Sequence, residues 1–159
     1  MRRMPADFLS RETRLLKIIA HVDGASRGNP GPAGYGAYLR LDNGDIIEAC
    51  GFLGRTTNNV AEYAGLLEAL TLAQHEGAKE VEIISDSLLL VNQMLGIYRV
   101  KHENLRPLFL KASSMARAFD HFSIRHTLRA GNKDADRLAN RAVDRGEGKE
   151  VQRTYGHGI

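Results

Sequence analysis

LLKIIAHVDGASRGNPGPAGYGAYLRL, residues 15–41, decides the fold. Its first third, Leu15 to Val22, is apolar and rich in β-branched side chains, which is the pattern of a buried strand. That run breaks at Asp23-Gly24, a turn signal, so an acid stands where the strand ends. A loop rich in glycine and proline, SRGNPGPAG, follows. YGAYLRL and DIIEACGFL then flank Asp42-Asn43-Gly44, which reads as a hairpin. An acid just beyond a buried strand occupies the end of a sheet where ligands bind in α/β folds.

Further along, Ala61, Ala64, Leu67, Leu70 and Ala73 recur at helical spacing, predicting a helix from Val60 to His75 capped by Gly77. VEIIS is a short strand ending at Asp86, and residues 87–96 read as a leucine-rich helix. A basic linker, YRVKHENLRP, leads to a helix from about Leu108 to Phe119. HFSIRHTL is the last predicted strand, and Asn132 opens a helix that runs to about Val143. Three strands, a helix, a strand, two helices, a strand and a helix make one mixed sheet covered by helices. The expected layout is an arm at 1–13, one domain at 14–144 and a mobile tail at 145–159.

Four acids share one kind of position. Asp23, Glu62, Asp86 and Asp136 each stand at a strand end or a helix start. Singly, each has an ordinary explanation. Asp23 can begin an Asp-Gly turn. Glu62 can complete a capping box with Asn59. Asp86 can cap the next helix, and Asp136 can complement a helix dipole, as Asp134 equally can. Together, four carboxylates in one site require cations, and an all-oxygen donor set suits hard divalent ions acting on phosphates. Charge agrees: setting these four aside, 22 basic residues against 15 acidic ones favour a polyanionic partner.

Bulk properties narrow the class. With 159 residues, 43% hydrophobic and 26% charged, the chain fits one soluble globular domain. Its single cysteine, Cys50, excludes an intrachain disulfide framework and suits a reducing, cytoplasmic setting. No apolar run nears the roughly 18 residues that cross a bilayer, and the arginines at the start precede no apolar stretch, so neither membrane span nor secretory signal is expected.

VDGASRGNPGPAGYGAYL (22–39), RTTNNVAEYAGLLEAL (55–70), ISDSLLLVNQ (84–93) and AGNKDADRLAN (130–140) together resemble the bacterial and archaeal type 1 ribonuclease H family over roughly residues 16–143. The resemblance implies a ribonuclease H-like α/β fold with a five-stranded mixed sheet in the order 3-2-1-4-5. It also implies cleavage of the RNA strand of RNA–DNA hybrids to leave 3′-hydroxyl and 5′-phosphate ends. The family's four metal-binding acids fall on Asp23, Glu62, Asp86 and Asp136; the RLAN that follows selects Asp136 over Asp134. By likeness these hold two Mg²⁺, or Mn²⁺, about 4 Å apart. Asp23 bridges them, Asp136 completes the site that activates water, and Glu62 with Asp86 completes the other.

Asn29, Asn58 and Asn59 fall on family positions that read sugars, where the 2′-hydroxyl separates RNA from DNA. Arg55 and Thr57 resemble the family's pocket for a DNA phosphate. Thr57, Asn58 and Asn59 are also a good turn and cap.

Three departures stand out. The catalytic-loop segment GHxGxxxN is represented by RHTLRAGN, read as shorter and without a histidine at the matching place, so His126 is expected to face core or solvent. Arg129, His126 or His157 of the tail would have to substitute. Leu88 replaces the family's usual glutamine, and the lysine-rich handle is reduced to Arg99, Lys101, His102 and Arg106. No N-terminal hybrid-binding domain, protein partner or oligomer is expected. The rival readings are another metal-dependent nuclease of this fold and a non-catalytic nucleic-acid binding module.

Overall fold

A computed structural model describes residues 16–146 and 152–157. The strands are β1 (Lys17–Ser26), β2 (Gly31–Leu41), β3 (Asp45–Thr56), β4 (Glu80–Ser85), β5 (His121–His126) and β6 (Gln152–His157). The helices are α1 (Asn58–His75), α2 (Leu88–Met94), α3 (Arg106–Arg117) and α4 (Lys133–Arg145), with a 3₁₀ turn at Arg129–Asn132. The strands form one sheet in the order β5-β4-β1-β2-β3-β6. β1 runs antiparallel to β2, β2 to β3 and β3 to β6, while β4 is parallel to β1 and β5 to β4.

Alternation along β1 sets the layers. Ile18, Ala20 and Val22 point to one face, where they meet Leu66, Leu70 and Ala73 of α1 in the main core. Each isoleucine, valine or leucine among them, fully buried, contributes about 1.5–3 kcal/mol. α3 packs on α1, and Leu90 and Val91 of α2 close the same cluster. α4 covers the other face, with Leu138 and Ala142 packed against Cys50. Two glycines let the helices approach. A side chain on Gly24 would sit 2.4 Å from the backbone of Ala61 and Glu62, and one on Gly36 would sit 2.5 Å from the carbonyl of Ala135.

The expected order 3-2-1-4-5 is present, but the sheet has six strands, not five. β6 lies along the outer edge of β3 through the pairs Asp45↔His157 to Cys50↔Gln152. Residues 152–157 therefore belong to the sheet and not to a mobile tail; the arm at 1–13 and residues 147–151 and 158–159 lie outside the described residues. The edge strand is held by a partner remote in sequence. Arg153 Nη2 lies 2.6 Å from Glu68 Oε1, and the Tyr35 hydroxyl donates to Glu68 Oε2 at 3.1 Å. Glu68 is buried, so removing its cation leaves a charge poorly solvated. Arg153→Ala is expected to lower unfolding free energy by about 2 kcal/mol in urea titration, and adding Glu68→Gln should recover roughly half. An unchanged urea midpoint would show that β6 does not depend on this contact.

The loop expected at 26–34 is also shorter, because β1 continues to Ser26 and β2 starts at Gly31. Gly31 and Pro32 enter the sheet at the start of β2, opposite Thr56 and Arg55. Among the described residues no helix is long and apolar enough to cross a membrane.

Candidate active site

Parallel pairing brings the first two acids together. Val22 lies opposite Ser85, the last pair of β1 with β4, so Asp23, still within β1, and Asp86, just past β4, stand side by side where that parallel pairing ends. Asp86 is not a cap. Ser87 takes that role, its hydroxyl accepting from the Leu90 N–H at 3.2 Å, which leaves the Asp86 carboxylate uncommitted.

Glu62 arrives from the α1 layer. The helix begins two residues earlier than expected, with Thr57 as its cap; Thr57 Oγ1 accepts from the Val60 N–H at 3.3 Å. The expected capping box of Asn59 with Glu62 is therefore absent. Glu62 instead reaches into the sheet end, where its Oε2 accepts from the Gly24 N–H at 3.1 Å. The same N–H donates to Asp23 Oδ1 at 2.9 Å. One backbone donor thus pins two carboxylates, and Gly24 permits it because no Cβ stands between strand and helix.

Asp136 comes from the opposite face. The buried Asn132 donates from Nδ2 to the Val22 carbonyl at 2.9 Å, tying the start of α4 to the strand that bears Asp23. One helical turn later Asp136 meets Asp23. Asp134 turns outward and pairs with Arg137 at 3.4 Å. The geometry thus resolves the choice that spacing left open.

Carboxylate oxygens of Asp23, Glu62 and Asp86 all lie within 4.8 Å of one another. Asp23 and Glu62 are buried. Burial first, then the charge of Asp86 and contact with Asp136, pushes the Asp23 carboxyl up to about 8. Glu62 is likewise pushed well above the ordinary carboxylate range by burial and by Asp23 and Asp86. Such an array holds protons when nothing else neutralises it, and it fits hard cations: its donors are all oxygen, and it opens on a cavity of about 520 Å³ that Asp136 and Asn58 also line.

The other expected residues divide. Asn58 faces the cavity, and its N–H donates to Asn29 Oδ1 at 3.0 Å, so these two form one unit. Thr57 is engaged in capping, Asn59 is half-buried beside it, and Arg55 is exposed at the end of β3; these three stand outside the cavity wall. RHTLRAGN has the same eight residues as GHxGxxxN, so the expected shortening is absent and the exposed His126 holds the histidine's own place. It lines the cavity at the end of β5, with Nε2 at 3.2 Å from the Asp86 carbonyl oxygen. Arg129 also lines it, Nη2 at 3.6 Å from Asp136 Oδ1. The backbone of His157 lies elsewhere. It pairs with Asp45 on the outer edge of β3, at the end of the sheet away from Asp23.

Sequence reading missed Ser26, Arg27 and Asn140, all on the cavity wall. Asn140 stands four residues after Asp136 and so on the same helix face, a signal that was available. Arg27 had none, because its partners are on α4.

Residues 21–142 match the family described as "Reverse transcriptase-like". The N-terminal RNase H domain of Rv2228c from Mycobacterium tuberculosis, solved as a fusion with maltose binding protein, is 44% identical, with 82% of this chain and 96% of that one aligned at a TM-score of 0.79. RNase H1 from Halobacterium salinarum is 42% identical, covering 81% and 98%, with a TM-score of 0.77. LC11-RNase H1, solved in complex with an RNA/DNA hybrid, is 39% identical over 82% and 99%, with a TM-score of 0.76. The chain spans only 36% of the full mycobacterial "Bifunctional protein Rv2228c" and 65% of the Halobacterium "Ribonuclease HI". With the family matched from residue 21 to 142 and relatives of this identity aligned almost end to end, the chain belongs to the reverse transcriptase-like family, among its type 1 ribonuclease H members.

Proposed function

We propose that this chain hydrolyses the RNA strand of RNA–DNA hybrids, leaving 3′-hydroxyl and 5′-phosphate ends. The observation that carries the reading is the convergence of three acids within 4.8 Å, with Asp136 beside Asp23. Asp23, Glu62, Asp86 and Asp136 would hold two divalent ions, with Mg²⁺ as the working ion and Mn²⁺ as a substitute. Bound there, the ions supply a water acidic enough to attack phosphorus and positive charge for the departing 3′-oxygen.

The chain's own groups do the rest. The Gly24 N–H fixes the Asp23 and Glu62 carboxylates before substrate arrives, so little reorganisation is needed at reaction. Asn29 holds the Asn58 backbone, which leaves the Asn58 amide to meet a ribose 2′-hydroxyl across the cavity mouth. Arg55 and Thr57 lie on one stretch beyond the wall and would hold a phosphate of the DNA strand, with Asn59 beside them as a further contact to sugar. Arg129 puts a cation next to Asp136, and His126, in the place of the histidine of GHxGxxxN, puts an imidazole next to Asp86; either can assist product departure. We read the protein as a cytoplasmic monomer, in keeping with its one buried cysteine.

The test is cleavage of uniformly labelled RNA–DNA hybrid beside duplex DNA, with Mg²⁺ and with chelator. RNA-strand cutting that requires Mg²⁺ is expected, with duplex DNA untouched. Arg129→Ala should lower kcat roughly tenfold, less than loss of a buried donor because this guanidinium is largely exposed. Equal cutting of duplex DNA would remove the hybrid from the proposal and leave a general nuclease. Binding of hybrid without cutting would favour the non-catalytic module.

A further inference from the structure

Asp136 differs from the other three acids in how it is held. Asp23 and Glu62 share a backbone donor, whereas Asp136 is gripped by side chains. Asn140, one turn further along α4, donates from Nδ2 to Asp136 Oδ1 at 3.2 Å and to the Asp136 carbonyl at 2.9 Å. The other end of that amide, Oδ1, lies 3.4 Å from Arg27 Nη2. The same nitrogen of Arg27 is anchored by Asp144 Oδ1 at 2.7 Å. Arg27 belongs to the loop that leaves β1 just past Asp23, and Asp144 to the last turn of α4.

We infer that Arg27 and Asn140 are positioning residues for Asp136, and that Arg27 sets which end of the Asn140 amide faces the carboxylate. An amide can present either its oxygen or its NH₂, and only the NH₂ is compatible with a neighbouring carboxylate. A guanidinium can only donate, so the Asn140 oxygen is held toward Arg27 and the NH₂ toward Asp136. With Oδ1 engaged, the carboxylate cannot turn freely, and it presents one orientation to the cavity. Partners that orient a metal-binding carboxylate without touching the metal typically govern affinity by 10- to 100-fold. The clamp also couples the loop after Asp23 to the helix bearing Asp136, so the two acids that meet from opposite faces are held as a pair. This inference rests on the metal-binding reading above.

The experiment titrates Mn²⁺ into substrate-free wild type, Asn140→Ala, Arg27→Ala and Arg137→Ala by calorimetry, followed by steady-state cleavage of hybrid. Arg137 is the control: it leaves the same helix for an exposed pair with Glu48 and does not reach Asp136. Asn140→Ala is expected to weaken Mn²⁺ about tenfold, near the lower end for such partners, and Arg27→Ala about threefold, because the amide is then free to flip. kcat should fall in the same proportion with KM within twofold, and Arg137→Ala should bind as wild type. Wild-type affinity in both Asn140→Ala and Arg27→Ala overturns the inference. Should Asn140→Ala fail to fold, Arg27→Ala decides alone. Wild type that takes up no Mn²⁺ fails the underlying reading instead, so the two failures are distinct.

Discussion

Asp23→Asn is expected to reduce hydrolysis of hybrid by on the order of 10³-fold or more while leaving the fold intact. The substitution keeps the shape of the side chain and an oxygen that can still accept from the Gly24 N–H, now at 2.9 Å. It removes the charge at the centre of the cluster, the one carboxylate that contacts Glu62, Asp86 and Asp136 together. Affinity for hybrid should fall far less, since Asn58, Arg55 and the surrounding basic residues are untouched. Asp86→Asn should behave alike, because Ser87 and not Asp86 caps α2 and the helix start loses nothing. Single-turnover cleavage beside circular dichroism of both variants checks this. Wild-type turnover in either purified variant would sink the assignment of these acids, and a lost fold would make them structural.

How much of this was legible in the sequence follows from where each cause resides. β1 was readable because Ile18, Ala20 and Val22 are buried by a local pattern, but its end was not: Asp23-Gly24 is no turn, and pairing with Gly36 and Tyr35 of β2 carries the strand through both to Ser26. The convergence of Asp23 with Asp86 was readable once both strands were expected to be parallel and adjacent. The caps were only half readable: Thr57 and Ser87 do the capping that was also open to Asn59 and Asp86, and a serine or threonine one or two residues away is an equally good candidate. β6 was not readable. Its composition is that of a tail, and what holds it is the edge of β3 and Glu68, 85 positions from Arg153. Arg27 was hidden for the same reason, since Asp144 lies 117 positions away.

A second large effect is expected on stability without metal. A carboxyl whose folded pKa is raised keeps its proton while the unfolded chain gives it up, so over that interval the native state binds more protons. Stability then falls as pH rises. For Asp23 the interval runs from its ordinary value of 3.8 to about 8, and Glu62 moves in the same direction. The contribution is fully present below about pH 4 and lost as pH passes about 8. In chelator, thermal unfolding should therefore shift downward between pH 5 and pH 8.5. Asp23→Asn, which has no proton to lose, should escape much of that loss. At pH 8.5 the variant is expected to be more stable than wild type by on the order of 2 kcal/mol, or roughly 4–8 °C in Tm. Mg²⁺ should reverse the order, because it binds the ionised acids of wild type and stabilises only the folded chain. The catalytic cluster is thus destabilising when bare and stabilising when loaded, as expected of buried like charges placed for a cation and not for the fold. Scanning calorimetry of the two proteins at both pH values, with chelator and with Mg²⁺, separates these effects. Parallel pH curves for wild type and variant in chelator would mean that Asp23 carries its charge at neutral pH without a cation.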